Sequence, residues 1–395
     1  MDDTSFGIGV NYWPARGGLG FLRRFDRVEV EEDLDRMVEW GISSIRVLPL
    51  WEDLQPERDR VNTKALGHLD TIAGLCAQRS LGLWVTLFAG HVHGVNWLPS
   101  WMVEWSLEAT RVASMVKRSR VRGVGRDPFE DDEVLRAQKR LVREVLVALD
   151  QHPALAALDL GERVSSVFPV RDKDRLRRWS SELVEEIRLK DPRTPVTIGL
   201  QLADLVQPGG QLIRVLAPLV SFFSLSLQPA EAWFGRGPDD PLLGLFGVEL
   251  VRMLSEGKEC RIAALGAPTT RDRVSALPST LREAVAESFA RRSLECLRCH
   301  GAREALWWHY ADVRPSQWRA FPYDRFVSER SLGLVSDDWR VKPTVLGIRA
   351  VERTRVGALP DPHWWNLEPE QYWRDPGQHI QRLYDRFCDE IPLPP

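Results

Sequence analysis

The stretch TKALGHLDTIAGLCAQRSLGLWVTLFAGH (63–91) contains an amphipathic helix followed directly by a buried strand. Residues 63–82 place apolar side chains at helical spacing, and residues 83–91 form a nearly continuous apolar run. Such a run is typical of a parallel strand that is covered on both faces. The stretch therefore predicts one unit of an α/β fold, and similar units recur along the chain.

Eight apolar runs alternate with eight amphipathic stretches. We predict strands at 5–13, 43–51, 83–91, 154–162, 195–200, 220–227, 260–266 and 304–310. We predict helices at 31–41, 63–82, 131–150, 173–190, 208–217, 242–255, 279–300 and 343–353. Eight such units in 395 residues favour a (β/α)8 TIM barrel over an open doubly wound sheet. We expect one barrel domain at 1–353 and a C-terminal extension, 354–395, that packs on it.

Composition excludes several classes of function. The formal net charge is −3, and no basic stripe indicates a nucleic-acid partner. No run of eighteen apolar residues indicates a membrane span. The glycines of GGLG (17–20) lack the spacing of a nucleotide fingerprint. CLRCH (296–300) matches a haem-attachment pattern, but it ends a predicted helix of the barrel layer, so we interpret its cysteines as structural. We expect no metal and no cofactor.

The first residues, MDDTSFGIGV, are acidic and lead directly into a strand, so they do not form a secretory signal peptide. Five cysteines do not form a disulfide framework. We therefore expect a cytoplasmic protein, or a secreted one if a leader has been removed.

Functional side chains of such a barrel lie where its strands end. The predicted strand ends carry Trp13, Arg46, Trp51, His91, Glu162, Arg163, Gln228, Ala264, Trp307 and Asp312. We expect this set of residues to determine the function.

At these strand ends the chain resembles the clan A glycoside hydrolases, most closely the cellulase- and mannanase-like family 5. The resemblance covers roughly 5–345 and rests on the order and spacing of several short motifs. They are GVNYWP (9–14), SIRVLPLW (44–51), FAGHVHGVNWLPSWM (88–102), HPALAALDLG (152–161), GAPTT (266–270), ALWWHYAD (305–312) and ERSLGLV (329–335).

The resemblance implies a retaining glycosidase site with two glutamates. One follows an Asn at the end of the fourth strand and acts as acid/base, and the other ends the seventh strand as nucleophile. In LDLGERVSSVFPV (158–170), Glu162 stands at the Asn position and Arg163 at the acid/base position. In AALGAPTT (263–270), Ala264 stands at the nucleophile position. Both catalytic glutamates of the family pattern are thus replaced.

These replacements predict a degenerate, non-catalytic glycoside hydrolase-like protein, because arginine does not release its proton and alanine cannot form a glycosyl ester. Arg46 would then lack its usual acidic partner, and we expect Glu162 to form an ion pair with Arg46 or Arg163. The alternative is an active retaining β-glycosidase of glucan or mannan type, with Glu162 re-aimed by a bulge. Its second carboxylate is unidentified, and Asp312 and Glu231 are the nearest substitutes.

The chain contains 16 tryptophans, whose flat rings suit the faces of sugars but also fill cores. We predict a tryptophan-lined cleft that binds an oligosaccharide or polysaccharide, and a scaffold role for a protein partner stays open. The predicted substrate-binding residues are Trp13, Arg46, Trp51, His91, Trp97, Gln228, Trp307 and Trp308. Because side chains alternate along a strand, Trp307 and Trp308 cannot both face the cleft.

Overall fold

Eight parallel strands form a barrel at the centre of the computed structural model, which describes residues 5–105, 112–271, 279–352 and 357–393. The strands are β1 Gly7–Tyr12, β2 Ser44–Val47, β3 Gly82–Thr86, β4 Leu155–Asp159, β5 Val196–Thr197 with Gly199–Gln201, β6 Phe223–Ser226, β7 Cys260–Leu265 and β8 Glu304–Trp307. Each strand pairs in parallel with its neighbours. The predicted (β/α)8 barrel is confirmed.

The two halves of β5 close the barrel. The first half pairs with β4, where Leu158 lies opposite Val196, and the second half pairs with β6, where Gly199 lies opposite Ser224. At the other side of the ring, β1 pairs with β8. The sheet therefore has no free edge along its circumference.

Helices cover the outside of the barrel. They are α1 Arg27–Glu39, α2 Thr63–Gln78, α3 Asp132–Ala148, α4 Lys173–Lys190, α5 Gln211–Leu216, α6 Leu243–Leu254, α7 Glu283–Cys299 and α8 Thr344–Ala350. Asp26, Asn62, Asp131 and Asp172 cap α1 to α4 by accepting backbone N–H hydrogen bonds. Predicted strands extended too far at 43–51, 83–91 and 304–310, because their apolar runs continue into the loops.

Alternate side chains of the strands fill the barrel interior. Trp84 on β3, Leu306 on β8 and the adjacent Phe222 form one apolar layer with Ala157. In β1, Gly9 lies so close to β2 that a Cβ atom there would be 2.4 Å from the Ser44 hydroxyl oxygen. Beyond this layer, towards the carboxyl ends of the strands, the interior becomes polar and holds Arg46.

Long loops follow β3 and β8 at the carboxyl-terminal face. The loop after β3 contains short strands at His91–Val92, Val95–Trp97, Val103–Trp105, Ser114–Val116, Ser119–Val121 and Gly123–Gly125. The loop after β8 contains 3-10 turns at Pro315–Gln317 and Val327–Arg330. These two loops supply most of the wall around the barrel mouth.

Within residues 357–393, several side chains contact the outside of the barrel. Helix α9, Pro376–Glu390, packs Phe387 against Phe246 of α6, with ring centroids 5.4 Å apart. Tyr384 donates a hydrogen bond to Asp240 at 2.6 Å, and Tyr372 donates one to the Leu205 carbonyl at 2.8 Å. None of the helices in the described part of the chain has the length and apolar character needed to cross a membrane.

Removing the Phe387 ring should test whether α9 is part of the cooperative fold. Phe387 is fully buried, so Phe387→Ala is expected to lower the free energy of unfolding by about 3–5 kcal/mol in urea titrations. The exposed Arg382 of the same helix provides the control, and Arg382→Ala should change it by less than about 0.5 kcal/mol. An unchanged unfolding midpoint for Phe387→Ala would show that α9 unfolds separately from the barrel.

Candidate functional site

Arg46 is the central charge of the barrel mouth. Its side chain is fully buried and donates from Nε to the Thr86 hydroxyl at 3.0 Å. Nη2 donates to the carboxylates of Asp159 and Glu162, the latter at 2.6 Å. Burial disfavours the charged guanidinium, but the two carboxylates outweigh this effect and raise the Arg46 pKa. The expected ion pair between Arg46 and Glu162 is therefore present.

Glu162 follows β4 and points its carboxylate into the mouth. Its backbone forms an isolated parallel bridge with Ala89, which extends β4 beyond its regular end. Besides Arg46, the carboxylate accepts a hydrogen bond from the Ser226 hydroxyl at 2.8 Å. Burial alone would raise the pKa of Glu162, but Arg46, Arg163 and these hydrogen bonds lower it. Glu162 is thus an ionised carboxylate at neutral pH.

Arg163 places a second guanidinium over this carboxylate. Its backbone adopts the left-handed conformation, φ 48°, which costs a non-glycine residue about 1–2 kcal/mol and turns the chain out of the strand. Nε lies 3.4 Å from Glu162 Oε1, and the two terminal nitrogens donate to both oxygens of Glu231 at 2.9 and 3.3 Å. Such a two-point contact holds arginine in a fixed orientation.

Glu329, from the loop after β8, is a further carboxyl group at the mouth. Burial raises its pKa to about 7, although Arg163 and a hydrogen bond from the Trp308 side chain act against this rise. Its Oε2 atom lies 3.7 Å from Nε2 of His93, and neither atom has a hydrogen-bond partner among the described residues. Burial lowers the pKa of His93 to about 3, so its ring is neutral.

These groups enclose a cavity of only about 20 Å³. It is lined by His91, Val92, His93, Gly94, Glu162, Arg163, Gln228, Ala264, Trp308 and Glu329. A cavity of this size holds about one water molecule. Six of the residues singled out in the sequence therefore meet here: His91, Glu162, Arg163, Gln228, Ala264 and Trp308.

Four of the predicted substrate-binding tryptophans differ in where their rings lie relative to the mouth cavity. Trp308 lines the cavity, whereas Trp307 faces outward and packs against Phe289 of α7, with ring centroids 6.0 Å apart. Trp13 is buried beside His93, at 5.5 Å between ring centroids. Trp51 is buried and donates to the Gln55 side chain at 2.8 Å. Trp13, Trp51 and Trp307 thus present no surface to the mouth, because their rings fill the core around it.

Trp97 lies in a different cavity, beside the mouth. It is half-buried, and its indole nitrogen donates to the Val92 carbonyl at 3.0 Å.

Asp312, one of the two substitute carboxylates, also lies away from the mouth cavity. It pairs with Lys342 at 2.7 Å and accepts from the Gly333 N–H at 2.8 Å. Asp312 is therefore engaged in holding the loop after β8.

Sequence reasoning missed Asp159, Ser226 and Glu329. Asp159 could have been found from strand alternation, because it lies two residues beyond the inward-facing Ala157 on β4. Glu329 stands in the ERSLGLV motif but follows no strand directly, so a search of strand ends passes over it. Ser226 gave no signal, since its role depends on where Glu162 points.

The described residues contain no group of three or more His, Cys, Asp or Glu side chains that could hold a metal ion. All five cysteines are free, and Cys296 of the haem-like motif is buried in α7. The groups available for chemistry at the mouth are the four carboxyl groups of Asp159, Glu162, Glu231 and Glu329, two guanidinium groups and neutral imidazoles.

The sequence matches no protein-family model and no curated protein. Among solved structures, a glutamate-to-alanine variant of GH5_18 from Streptomyces cattleya in complex with Manβ1-4GlcNAc is 19% identical, with a TM-score of 0.76 over 97% of this chain and 92% of that chain. GH5_18 from Bifidobacterium longum subsp. infantis is 22% identical, with a TM-score of 0.71 over 90% and 81%. The fold is that of a family 5 glycoside hydrolase.

A further neighbour is the exo-β-1,4-mannosidase Op5Man5 from Opitutaceae bacterium strain TAV5. It is 21% identical, with a TM-score of 0.70 over 87% of this chain and 58% of that chain. GH5_18 from Streptomyces cattleya has also been solved in complex with GlcNAc, and it is 21% identical with a TM-score of 0.72 over 88% and 80%. Identities of this size show a shared fold.

Opposite pKa shifts of Glu162 and Glu329 predict opposite pH dependences of stability. A lowered pKa gives stability that is present above the usual pKa of 4.5 and lost as the pH falls below it. A raised pKa gives stability that is lost as the pH rises from 4.5 through about 7, because the unfolded chain releases its proton first.

Urea unfolding of two glutamine variants between about pH 3.5 and pH 8 checks this expectation. Glu162→Gln should cost about 3–5 kcal/mol near neutral pH, since it leaves Arg46 partly unpaired. Glu329→Gln should gain stability relative to the unmodified chain as the pH rises, because glutamine resembles the protonated carboxyl. Parallel pH profiles for the two variants would contradict the assignment.

Proposed function

We propose that this protein is a glycosidase-like barrel that lacks retaining hydrolytic activity and instead binds a carbohydrate. One observation supports the proposed lack of hydrolytic activity. The Arg163 guanidinium, held by Glu162 and Glu231, stands where the family resemblance puts the proton donor. A fixed cation at that position opposes the charge that develops on a sugar ring during cleavage.

The chemistry of retention supports this proposal. It takes two carboxyl groups about 5 Å apart on either side of the scissile bond, one protonated and one ionised. Arg163 does not release its proton at neutral pH, and Ala264 has no side-chain oxygen. Glu162 is ionised and bound on several sides, so it has no proton to give to a leaving group.

The space at the mouth supports it as well. The cavity of about 20 Å³ has room for about one water molecule and none for a sugar ring. Arg163, which lines this cavity, forms an ion pair with Glu231. That pair is partly shielded from solvent, with 18% and 33% of the two side chains exposed.

Carbohydrate binding is supported by the rim and by the solved neighbours. Trp105, Trp233 and Trp318 expose their rings on the loops after β3, β6 and β8. Flat aromatic surfaces of this kind suit the apolar faces of sugars. The neighbours solved with GlcNAc and with Manβ1-4GlcNAc make an oligosaccharide the first ligand class to test. If no glycan binds, the barrel serves as a scaffold for a protein partner.

A second candidate is an active β-glycosidase, and one specific observation favours it. Glu162 and Glu329 line the same cavity, and their environments shift their pKa values in opposite directions. Pairs of carboxyl groups separated in this way supply the acid and the base in many hydrolases. Glu329 would thus be the second carboxylate that the alternative requires.

Turnover assays distinguish the two candidates. The substrates are aryl β-mannosides, aryl β-glucosides and Manβ1-4GlcNAc, with the full chain at micromolar concentration. Under the proposed function, product formation equals the buffer rate, and Glu162→Gln and Glu329→Gln leave it unchanged.

The exposed Glu104 of the loop after β3 provides a matched control. Turnover that survives in Glu104→Gln but disappears in Glu162→Gln and Glu329→Gln would establish the second candidate. Glycan binding measured in parallel by calorimetry tests the other half of the proposal, because a non-catalytic binder gives saturable heats without product.

A further inference from the structure

A second cavity, of about 210 Å³, lies beside the mouth. Four segments line it: the turn after β1, Leu50 after β2, the hairpin region after β3 and the loop after β8. The lining residues are Gly17, Gly18, Leu19, Gly20, Arg24, Leu50, Trp97, Met115, Arg118, Gln317, Ala320, Phe321, Pro322 and Tyr323. Cavities for drug-sized ligands span about 300–1,000 Å³, so this one suits a single sugar ring rather than a chain.

Aromatic side chains form two of its walls and are held in place. The Trp97 ring is fixed by its hydrogen bond to the Val92 carbonyl at 3.0 Å. The Tyr323 hydroxyl lies 3.0 Å from Nδ1 of His93, so its ring separates this cavity from the mouth. Ordered aromatic faces bind sugar rings at little entropic cost. Gln317 adds an amide that can donate or accept.

Two guanidinium groups give the cavity a positive charge. Arg118 stands at the tip of the hairpin Ser114–Val121 with φ 66°, and a Cβ atom on Gly20 would lie 2.4 Å from its Nη2. Burial and the neighbouring charges of Arg24 and Arg23 lower the pKa of Arg118. Like charges are thus gathered here against their mutual repulsion.

The nearest acids form ion pairs with Arg23, and Asp53 also attracts Arg118 electrostatically. Arg23 pairs with Glu52 at 3.1 Å and with Asp53. Within the described part of the chain, neither Arg24 nor Arg118 has a carboxylate within 4 Å. An anion between these two guanidinium groups would relieve their repulsion and accept charge-assisted hydrogen bonds.

We propose that this cavity binds one sugar residue bearing an anionic substituent, with its ring against Trp97 and Tyr323 and its anionic group on Arg24 and Arg118. The inference rests on the proposed carbohydrate-binding function and names the ligand class and the place. The shared chemistry is a hexose ring with a carboxylate or a phosphate group.

Calorimetric titration of the full chain tests the proposal with five probes. They are D-glucuronate, D-galacturonate, glucose 6-phosphate, methyl β-glucoside and inorganic phosphate. An acidic sugar should bind saturably and more tightly than methyl β-glucoside and than phosphate alone. Comparison of the uronates with glucose 6-phosphate shows which anionic group the site takes.

Three variants locate the binding. Arg118→Asn suits the left-handed backbone and, like Arg24→Gln, should weaken acidic-sugar binding by about tenfold or more. Arg122→Gln, at an exposed arginine beyond the same hairpin, should leave it unchanged. The inference is overturned if no acidic sugar binds, if all three variants weaken binding equally, or if inorganic phosphate binds as tightly as the acidic sugars.

These results stay separate from those of the turnover assays. Hydrolysis that depends on Glu162 would contradict the proposed non-catalytic function. Acidic-sugar binding would still be tested separately by calorimetric titration of Arg118→Asn. If no acidic sugar binds and no substrate is turned over, this inference is wrong, while the proposed lack of hydrolytic activity stands.

Discussion

The barrel mouth is organised by one buried cation, Arg46. A guanidinium without solvent contact is tolerated only where acceptors surround it, because an uncompensated buried charge costs several kcal/mol. Here the acceptors come from three neighbouring strands and from Glu162, just beyond β4. Since β7 contributes the uncharged Ala264 to the mouth, the second carboxylate of Arg46 has to come from Glu162. This requirement fixes the direction of the Glu162 side chain.

The rest of the mouth follows from that ionised carboxylate. Its negative charge favours a second cation above it, and Arg163 supplies this cation from the next position in the chain. The Arg163 guanidinium binds Glu231 from the loop after β6 by donating a hydrogen bond to it. Its charge also acts to lower the pKa of Glu329, from the loop after β8. A sequence of ion pairs thus links strands and loops around the small cavity that Trp308 also lines.

The fold could be predicted almost completely from the sequence, because the local periodicity of apolar residues indicates each strand–helix unit. Strand ends were less accurate, since apolar runs such as 83–91 continue past Thr86 into loop residues that are equally buried. The ion pair of Arg46 with Glu162 was also predictable from charge balance. The position of Trp97 was not, because it depends on contacts between loops distant in sequence, and nothing local distinguishes it from the buried Trp51 or Trp307.

Opposite pKa shifts in one cavity are typical of an acid/base pair, and each shift at this mouth has a local physical cause. The pKa of Glu162 is lowered because two guanidinium groups contact its carboxylate. The pKa of Glu329 is raised because its carboxyl group is buried beside a neutral His93. Catalysis additionally requires that substrate reach both groups, and the Arg163 guanidinium lies against the Glu162 carboxylate, with 3.4 Å between Nε and Oε1. The second cavity is lined mainly by the loops after β1, β3 and β8. In this barrel the strands determine the fold and place its central charges, while the rim loops supply most of the cavity walls.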